Sequence, residues 1–270
     1  MTGIAALFAV GPLVAVPVGL GLLPAADGPT ISVALRRLAV GGGVAAVLAL
    51  WLPAGVAAAA LAIPWLLVGF VIAAGTAREL QTSRRATSGG GAAAAACLVI
   101  SGAFLVQDRA GLWWPPSLDP VIVRLTAVHF TYAGFVLLLA GTLAAGAGLR
   151  LAAAGTLAAA VGIPLTAAGF VGVAPLGLPG ALLVAAGGLA IGSGTLAVAG
   201  RARPGRRLLR VAGLSLLISM PLAAGYAVTT AMGLPWLDIP GMAAVHGTIN
   251  VAGFAIPAML GWQQRTSVRA

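Results

Sequence analysis

Apolar stretches of bilayer length recur along the whole chain, and this recurrence limits the possible folds more than any other feature. A transmembrane helix needs about 20 predominantly apolar residues. Nine stretches are of this kind or near it: 4–23, 36–52, 54–77, 91–107, 121–146, 151–172, 178–200, 209–232 and 239–262. Only 7% of the residues are charged, so the chain cannot cover a globule with a water-compatible surface. The sequence therefore predicts an all-α, polytopic transmembrane helical bundle.

The second stretch is the weakest of the nine. Arg36 and Arg37 open it, and only fifteen residues separate them from Pro53. A short helix still crosses a locally thinned bilayer when its arginines snorkel, so we expect about nine spans, with eight as the alternative. The first stretch lacks a basic leader and is predicted to be a retained helix. Because the gaps are short, residues 1–270 are predicted to form a single transmembrane domain without an extramembrane domain.

The arginines lie in alternate gaps between the stretches. Thirteen of the fifteen fall on one side of the predicted bundle, which the positive-inside rule makes cytoplasmic. We therefore expect the N-terminus outside, the C-terminus in the cytoplasm, and a multi-pass protein of the plasma (inner) membrane. The stretch Thr82–Gly91 is predicted to be a flexible inner loop.

Residue usage excludes several classes of protein. All fifteen basic residues are arginine, so no lysine can form a Schiff base, which excludes retinal pigments and pyridoxal enzymes. The phosphate-binding loop GxxxxGK[ST] is also missing, which excludes the ATPase subunit of a pump. The single cysteine, Cys97, lies in an apolar stretch and forms neither a disulfide framework nor a cysteine cluster. The net charge of +10 comes from arginines between apolar stretches, so we expect membrane lipids as partners and no nucleic acid.

Two histidines inside predicted spans are the main candidates for function, because polar residues in lipid are costly. His129 and His246 each lie about 10–12 Å below the predicted outer end of their helix at 1.5 Å per residue. Polar and small residues share a face with each histidine: Thr126, Tyr132 and Ala133 with His129, and Asn250 and Gly253 with His246. The segments 128–135 and 245–254, which contain the two histidines, both end in Ala-Gly-Phe, and the tripeptide recurs at Ala168–Phe170. The tripeptide indicates close packing, and a diverged repeat relating stretches five and nine stays open.

These residues predict one polar pocket that opens outward between stretches five, eight and nine. Its predicted substrate-binding residues are Arg124, His129, Tyr132, Tyr226, His246 and Asn250. Thr229 and Thr230 lie at comparable depth, and Asp119 and Asp238 lie at the outer rim. The alternative is that each histidine binds a backbone carbonyl or a hydroxyl and joins helices.

The motif His-Phe-x-Tyr-Ala-Gly-Phe at 129–135 and the motif His-Gly-x-x-Asn-x-x-Gly-Phe at 246–254 resemble the YndJ-like family of bacterial integral membrane proteins. That family is largely uncharacterised and is sometimes described as transporters. In its pattern a second histidine often occupies the position of Thr131. This departure weakens any three-histidine metal site here.

Several functions fit the sequence. The first is a transporter-like protein that binds a small solute and holds no cofactor. The second is a redox protein in which His129 and His246 ligate haem b or a metal. The third is a structural or assembly subunit. A membrane enzyme is less consistent with the sequence, which has no Ser–His–carboxylate set in its spans and no H-E-x-x-H motif. The solute and the oligomeric state are left open.

Overall fold

A computed structural model describes residues 3–23, 33–82, 86–114, 118–201, 204–234 and 236–267. Throughout these ranges the regular structure is helical, which confirms the predicted all-α class. Nine helices follow one another: α1 (Gly3–Leu20), α2 (Val33–Ala49), α3 (Val56–Thr82), α4 (Ala86–Ala110), α5 (Pro120–Gly146), α6 (Arg150–Phe170), α7 (Gly177–Arg201), α8 (Arg206–Ala231) and α9 (Ile239–Thr266).

Eight of the nine helices are long and apolar enough to cross a membrane. The exception is α2, which has 17 residues and corresponds to the stretch that the sequence marks as weakest. The prediction of about nine spans with eight as the alternative therefore agrees with the structure. The predicted orientation of the termini stays a prediction, as does the single transmembrane domain over 1–270.

The predicted flexible loop Thr82–Gly91 is largely wrong. Helix α3 continues to Thr82 and helix α4 begins at Ala86, so only residues 83–85 remain between the two helices, and these lie outside the described residues. The prediction followed the run of Ser, Thr and Gly. An alanine run follows it in α4, and alanine is the strongest helix former.

The chain divides into two compact units, Met1–Val136 and Leu137–Ala270. The division falls inside α5, whose first half belongs to the first unit and whose second half packs against α6 and α7 in the second.

In the first unit, consecutive helices approach each other at glycines. A Cβ added at Gly42 of α2 would lie 3.2 Å from the carbonyl oxygen of Pro64 in α3. A Cβ at Gly69 of α3 would lie 3.1 Å from the backbone of Leu98 in α4. Small residues let backbones pack closely in lipid, so these glycines set the spacing and the register of α2, α3 and α4.

The second unit repeats this packing at the same register. Gly155 of α6 faces α7, and a Cβ added at Gly155 would lie 2.8 Å from the carbonyl oxygen of Gly187. A Cβ added at Gly192 of α7 would lie 2.9 Å from the Cβ of Leu216 in α8. Pro64 and Gly69 of α3 lie five residues apart, as do Gly187 and Gly192 of α7. Helices α2–α5 therefore correspond to α6–α9.

The connection between the last two helices begins and ends in the same way in both halves of the chain. A glycine with left-handed backbone follows each helix: Gly111 (φ 69°) comes directly after α4, and Gly233 (φ 71°) comes two residues after the last residue of α8. A leucine follows each glycine. The next helix begins after an aspartate whose Oδ1 accepts a hydrogen bond of 2.7 Å from a backbone N–H, Asp119 for α5 and Asp238 for α9. Both aspartates thus cap helices, and their position at the rim of a pocket stays a prediction.

Candidate functional site

Helices α5 and α9 each contain a π-helical segment of seven residues, Phe130–Val136 and Ile249–Ala255. The Ala-Gly-Phe tripeptide occupies the fourth to sixth positions of both segments. The glycine of each tripeptide, Gly134 or Gly253, lies fifteen residues after the capping aspartate of its helix. π segments are rare and are frequent at functional sites, so their matched position directs attention to their neighbours.

In the first unit, the π segment is joined to α4 by two buried hydroxyls. Gly134 packs against Cys97, and an added Cβ would lie 2.5 Å from the Cβ of Cys97. One turn further along α4, Ser101 Oγ donates to the carbonyl oxygen of Ala127 at 2.8 Å and lies 2.8 Å from Thr131 Oγ1. Thr131 Oγ1 also donates to Ala127 O at 3.0 Å. Both hydroxyls are fully buried, so this contact is a dry helix junction.

In the second unit, the same place holds a larger polar group. Gly253 packs against Ser215 of α8, and Ser219 one turn further donates from Oγ to Asn250 Oδ1 at 3.0 Å. Asn250 Nδ2 donates to the carbonyl oxygen and to Nε2 of His246, each at 2.9 Å. Nδ1 of His246 lies 3.1 Å from the carbonyl oxygen of Ser219.

We call Ser219, His246 and Asn250 the Ser–His–Asn network. An amide nitrogen only donates, so Nε2 of His246 accepts from Asn250. The ring proton therefore sits on Nδ1, which donates to the Ser219 carbonyl. The network closes a ring between α8 and α9 and fixes the tautomer of His246.

The two junctions correspond residue by residue. Ser101 and Thr131 are 30 residues apart, and Ser219 and Asn250 are 31 residues apart. The residue four before Thr131 is Ala127, whereas the residue four before Asn250 is His246. The second unit thus carries an imidazole and an amide where the first carries a methyl group and a hydroxyl. His246 and Asn250 are also partly exposed, unlike the hydroxyls of the first unit.

His129 is not the counterpart of His246. It lies four residues before the alanine of its tripeptide, whereas His246 lies six before. By this register the counterpart of His129 is Thr248, and both side chains are exposed. Nδ1 of His129 lies 3.0 Å from the carbonyl oxygen of Leu125 in its own helix. The convergence of the two imidazoles on one pocket stays a prediction.

Tyr132 has a partner that the sequence analysis did not identify. Its hydroxyl donates to the carbonyl oxygen of Leu7 in α1 at 2.6 Å, next to a third π segment, Gly11–Ala15. Pro12 has no N–H, so helical hydrogen bonding is interrupted there. The largely buried Tyr132 thus joins α5 to α1.

Tyr226 lies on α8 seven residues after Ser219, and this spacing places the two residues on one face of the helix. Its side chain is partly exposed, and within the described part of the chain its hydroxyl has no hydrogen-bond partner. Tyr226 is therefore the nearest predicted site residue on the α8 face that carries the network.

Arg124 belongs to a separate ionic group in the first unit. Its Nη2 lies 3.1 Å from Asp108 Oδ1, and Arg109 Nη2 lies 2.8 Å from Asp108 Oδ2. We call Asp108, Arg109 and Arg124 the Asp–Arg–Arg cluster. Of the six predicted site residues, the structure therefore shows hydrogen bonds between two, His246 and Asn250.

Sequence reasoning missed the serines. Ser101 and Ser219 each end a similar tetrapeptide, Leu-Val-Ile-Ser at 98–101 and Leu-Leu-Ile-Ser at 216–219. This similarity is the signal that would have found them, together with the repeated tripeptide. Among the described residues, no group of three or more His, Cys, Asp or Glu is arranged to hold a metal ion.

Comparison with known proteins found one family. The family model described as YndJ-like protein matches residues 6–254, which is nearly the whole chain. No curated protein and no solved structure matches the chain. The matched range includes the π segment Phe130–Val136, the second π segment as far as Phe254, and both junctions. The chain therefore belongs to the YndJ-like protein family.

Proposed function

We propose that this protein is a transporter-like membrane protein that binds a small polar solute at the Ser–His–Asn network. The observation that carries the proposal is the contrast between the two junctions. The first shows that two buried hydroxyls suffice to join these helices. The second adds an imidazole and an amide, both partly exposed, at a depth where polar groups are costly. Helix packing does not require these added groups, so we assign them to binding.

The chemistry of the network suggests the class of solute. The described partners offer an amide, a hydroxyl and a neutral imidazole, which together donate and accept hydrogen bonds. No carboxylate belongs to the network as the structure describes it. These groups suit a small solute that has its own donors and acceptors, which would replace the internal bonds of Asn250 when it binds. Tyr226, two turns along the same face of α8, is the next candidate contact.

A proton on His246 would rearrange the network. Protonated Nε2 becomes a donor and then faces the donor Nδ2 of Asn250, so the bond between them is lost. The amide must turn its oxygen toward the ring, and that oxygen no longer accepts from Ser219. Other ionisable residues of α8 and α9 are Arg206, Arg207, Arg210, Tyr226 and Arg265, and Asp238 caps α9. His246 is the group that titrates nearest to neutrality when unperturbed, so we assign proton coupling to it.

The arginine distribution supports a location and an orientation for this activity. Thirteen of fifteen arginines lie in alternate connections or in the C-terminal tail, as in plasma membrane proteins with a cytoplasmic C-terminus. In this orientation the network lies nearer to the outer end of α9, since His246 is only seven residues from Ile239, where the helix begins.

Flux through proteoliposomes tests the proposal. We expect urea or glycerol, each of which both donates and accepts hydrogen bonds, to enter faster than into protein-free vesicles, measured by stopped-flow light scattering, with an internal pH dye for accompanying protons. Asn250→Leu, which keeps the shape and removes the hydrogen bonds, should reduce this flux by about tenfold, the effect of losing roughly one hydrogen bond to solute.

The matched control is Thr131→Val at the corresponding position of the first unit, where Ser101 keeps its bond to Ala127. This variant should transport at the rate of the unmodified protein. Flux no faster than in empty vesicles for every solute, or equal flux in both variants, would refute the proposed role of the network.

The haem b alternative is less compatible with the geometry of His246. Both of its ring nitrogens are engaged, Nδ1 with Ser219 O and Nε2 with Asn250. Iron would have to displace the Asn250 amide from Nε2. A Soret band in protein purified after haem-supplemented expression, abolished in His246→Ala, would favour this alternative over solute binding.

A further inference from the structure

We propose that the Asp–Arg–Arg cluster of the first unit binds a phosphate-type anion, supplied either by an anionic lipid headgroup or by free phosphate. The cluster lies where α4 ends and α5 begins. Nε and Nη2 of Arg109 donate to Asp108 Oδ2, both at 2.8 Å. Nε and Nη2 of Arg124 donate to Asp108 Oδ1 at 3.2 and 3.1 Å. One carboxylate is thus shared by two guanidinium groups.

The cluster carries an excess positive charge. Two arginines and one aspartate sum to +1, and the Asp108 side chain is only 2% exposed. Asp119, the other acidic residue at this connection that the structure describes, is exposed, caps α5 through the N–H of Val121, and forms no ion pair with Arg109 or Arg124 within the described residues. A partly buried charge without a counterion is costly, so an anion at this place would stabilise the protein.

Arg124 is the residue positioned to meet the anion. The Arg109 side chain is 8% exposed, and its remaining nitrogen Nη1 donates to the carbonyl oxygen of Leu52 at 3.2 Å. Arg124 is 28% exposed, and within the described part of the chain its Nη1 has no partner. The planar guanidinium matches the oxygens of a phosphate group. Arg109 therefore stabilises Asp108, and Asp108 orients Arg124.

The second unit shows that the fold does not require these charges. Counted back from Gly111 and Gly233, Asp108 and Arg109 correspond to Thr230 and Ala231 of α8, and counted from the serines of the two junctions they correspond to Tyr226 and Ala227. Neither register places an acidic or basic residue there. Counted from the capping aspartate, Arg124 corresponds to Ala243 of α9. A connection with the same left-handed glycine and the same aspartate cap forms there, and its described residues contain no ionic cluster. The cluster is therefore an addition of the first unit.

The surroundings indicate that the anion lies at the membrane interface. Arg109 is in the last turn of α4, and Arg124 is near the start of α5. Trp113 and Trp114 between them are exposed, and Gln107 donates to the carbonyl oxygen of Trp114 at 2.7 Å, which holds this loop beside the cluster. Tryptophan favours headgroup depth. Lipid phosphates are concentrated at this depth.

Thermal unfolding of the purified full-length chain tests the proposal. The protein is titrated in dodecylmaltoside with phosphatidylglycerol, with phosphatidylcholine, and with inorganic phosphate against chloride at equal ionic strength. We expect stabilisation by phosphatidylglycerol, by phosphate or by both. Arg124→Gln should raise the half-saturating ligand concentration by about tenfold, the effect of losing one charge-assisted hydrogen bond.

Two further variants keep the test decisive. Arg37→Gln removes an equal charge at an exposed position of α2 and should leave the titration unchanged. Arg124→Lys keeps the charge but loses the fork, so it should fall between Arg124→Gln and the unmodified protein. Stabilisation by phosphatidylglycerol alone identifies the lipid as the source, and stabilisation by phosphate as well identifies the free anion. Equal titrations for Arg124→Gln and Arg37→Gln, or no stabilisation by either ligand, would overturn the proposal.

Discussion

One residue in each junction, Thr131 or Asn250, determines how many polar groups the junction joins. Asn250 makes three hydrogen bonds to His246 and Ser219, whereas its counterpart Thr131 bonds to Ser101 and the Ala127 carbonyl. Replacing Thr131 by valine leaves Ser101 with an acceptor. Replacing Asn250 leaves both an imidazole nitrogen and a serine hydroxyl without their partner. The network in the second unit therefore depends on one side chain.

Asn250→Ala should lower the free energy of unfolding by about 1–3 kcal/mol, since it leaves partly buried polar groups unsatisfied. Chemical denaturation in mixed detergent measures this change. Thr131→Val is the matched control and should cost less. A loss for Asn250→Ala no larger than for Thr131→Val would show that the network contributes nothing particular to stability.

At the scale of helices, close packing at a glycine recurs wherever the π segments meet their neighbours. A side chain at Gly134 would meet Cys97, and one at Gly253 would meet Ser215. Both contacts lie one turn before the serine that makes the polar bond. The glycines therefore set how near α5 approaches α4 and how near α9 approaches α8, and this distance allows the hydroxyls to reach across.

Gly134→Ala and Gly253→Ala should each destabilise the protein by about 1–3 kcal/mol through overpacking. Cys97→Gly should rescue the first variant, and Ser215→Gly should rescue the second, because each removes the atom that the new methyl group meets. Gly75→Ala in α3 is the control, since nothing lies within 4 Å of a Cβ there. Melting temperatures of the five variants measure the pattern, and rescue in neither pair would contradict this account of the packing.

The sequence predicts the helices well and their partners poorly. Hydropathy locates α1 and α3–α9, because the cost of exposed backbone in lipid leaves little choice. The function of Asp119 was readable but missed, since Asp followed by Pro120 is typical of a helix start. The bonds of Ser101 and Ser219 were not readable helix by helix, because a hydroxyl in a span usually bonds to its own helix. Only comparison of the two halves reveals them.

At the scale of the molecule, the chain uses one four-helix arrangement twice and has diverged in its polar residues. The first unit has the Asp–Arg–Arg cluster and a buried hydroxyl junction, and the second has the Ser–His–Asn network and, within its described residues, no ion pair at the connection. Helix α2 corresponds to α6, whose 21 residues qualify as a span. This correspondence supports a membrane crossing by α2 despite its 17 residues.

If α2 crosses, the chain has nine crossings and its termini lie on opposite sides. A C-terminal green fluorescent protein should fluoresce, and alkaline phosphatase fused at the N-terminus should be active outside the cytoplasm. Reporters placed in the α6–α7 and α8–α9 connections should behave as external. Termini on the same side would mean that α2 does not cross.

The unit boundary inside α5 has a consequence for dissecting the protein. A cut at 147–149 separates two chains at the end of the first four-helix arrangement, yet the first fragment keeps Leu137–Gly146, which packs with α6 and α7. Affinity purification of one tagged fragment after co-expression should therefore recover both fragments, because Gly141 of one packs against Thr156 of the other. Residues Leu137–Gly146 would hold the two fragments together, so the two parts of a split reporter, one fused to each fragment at this cut, would assemble without a further binding partner.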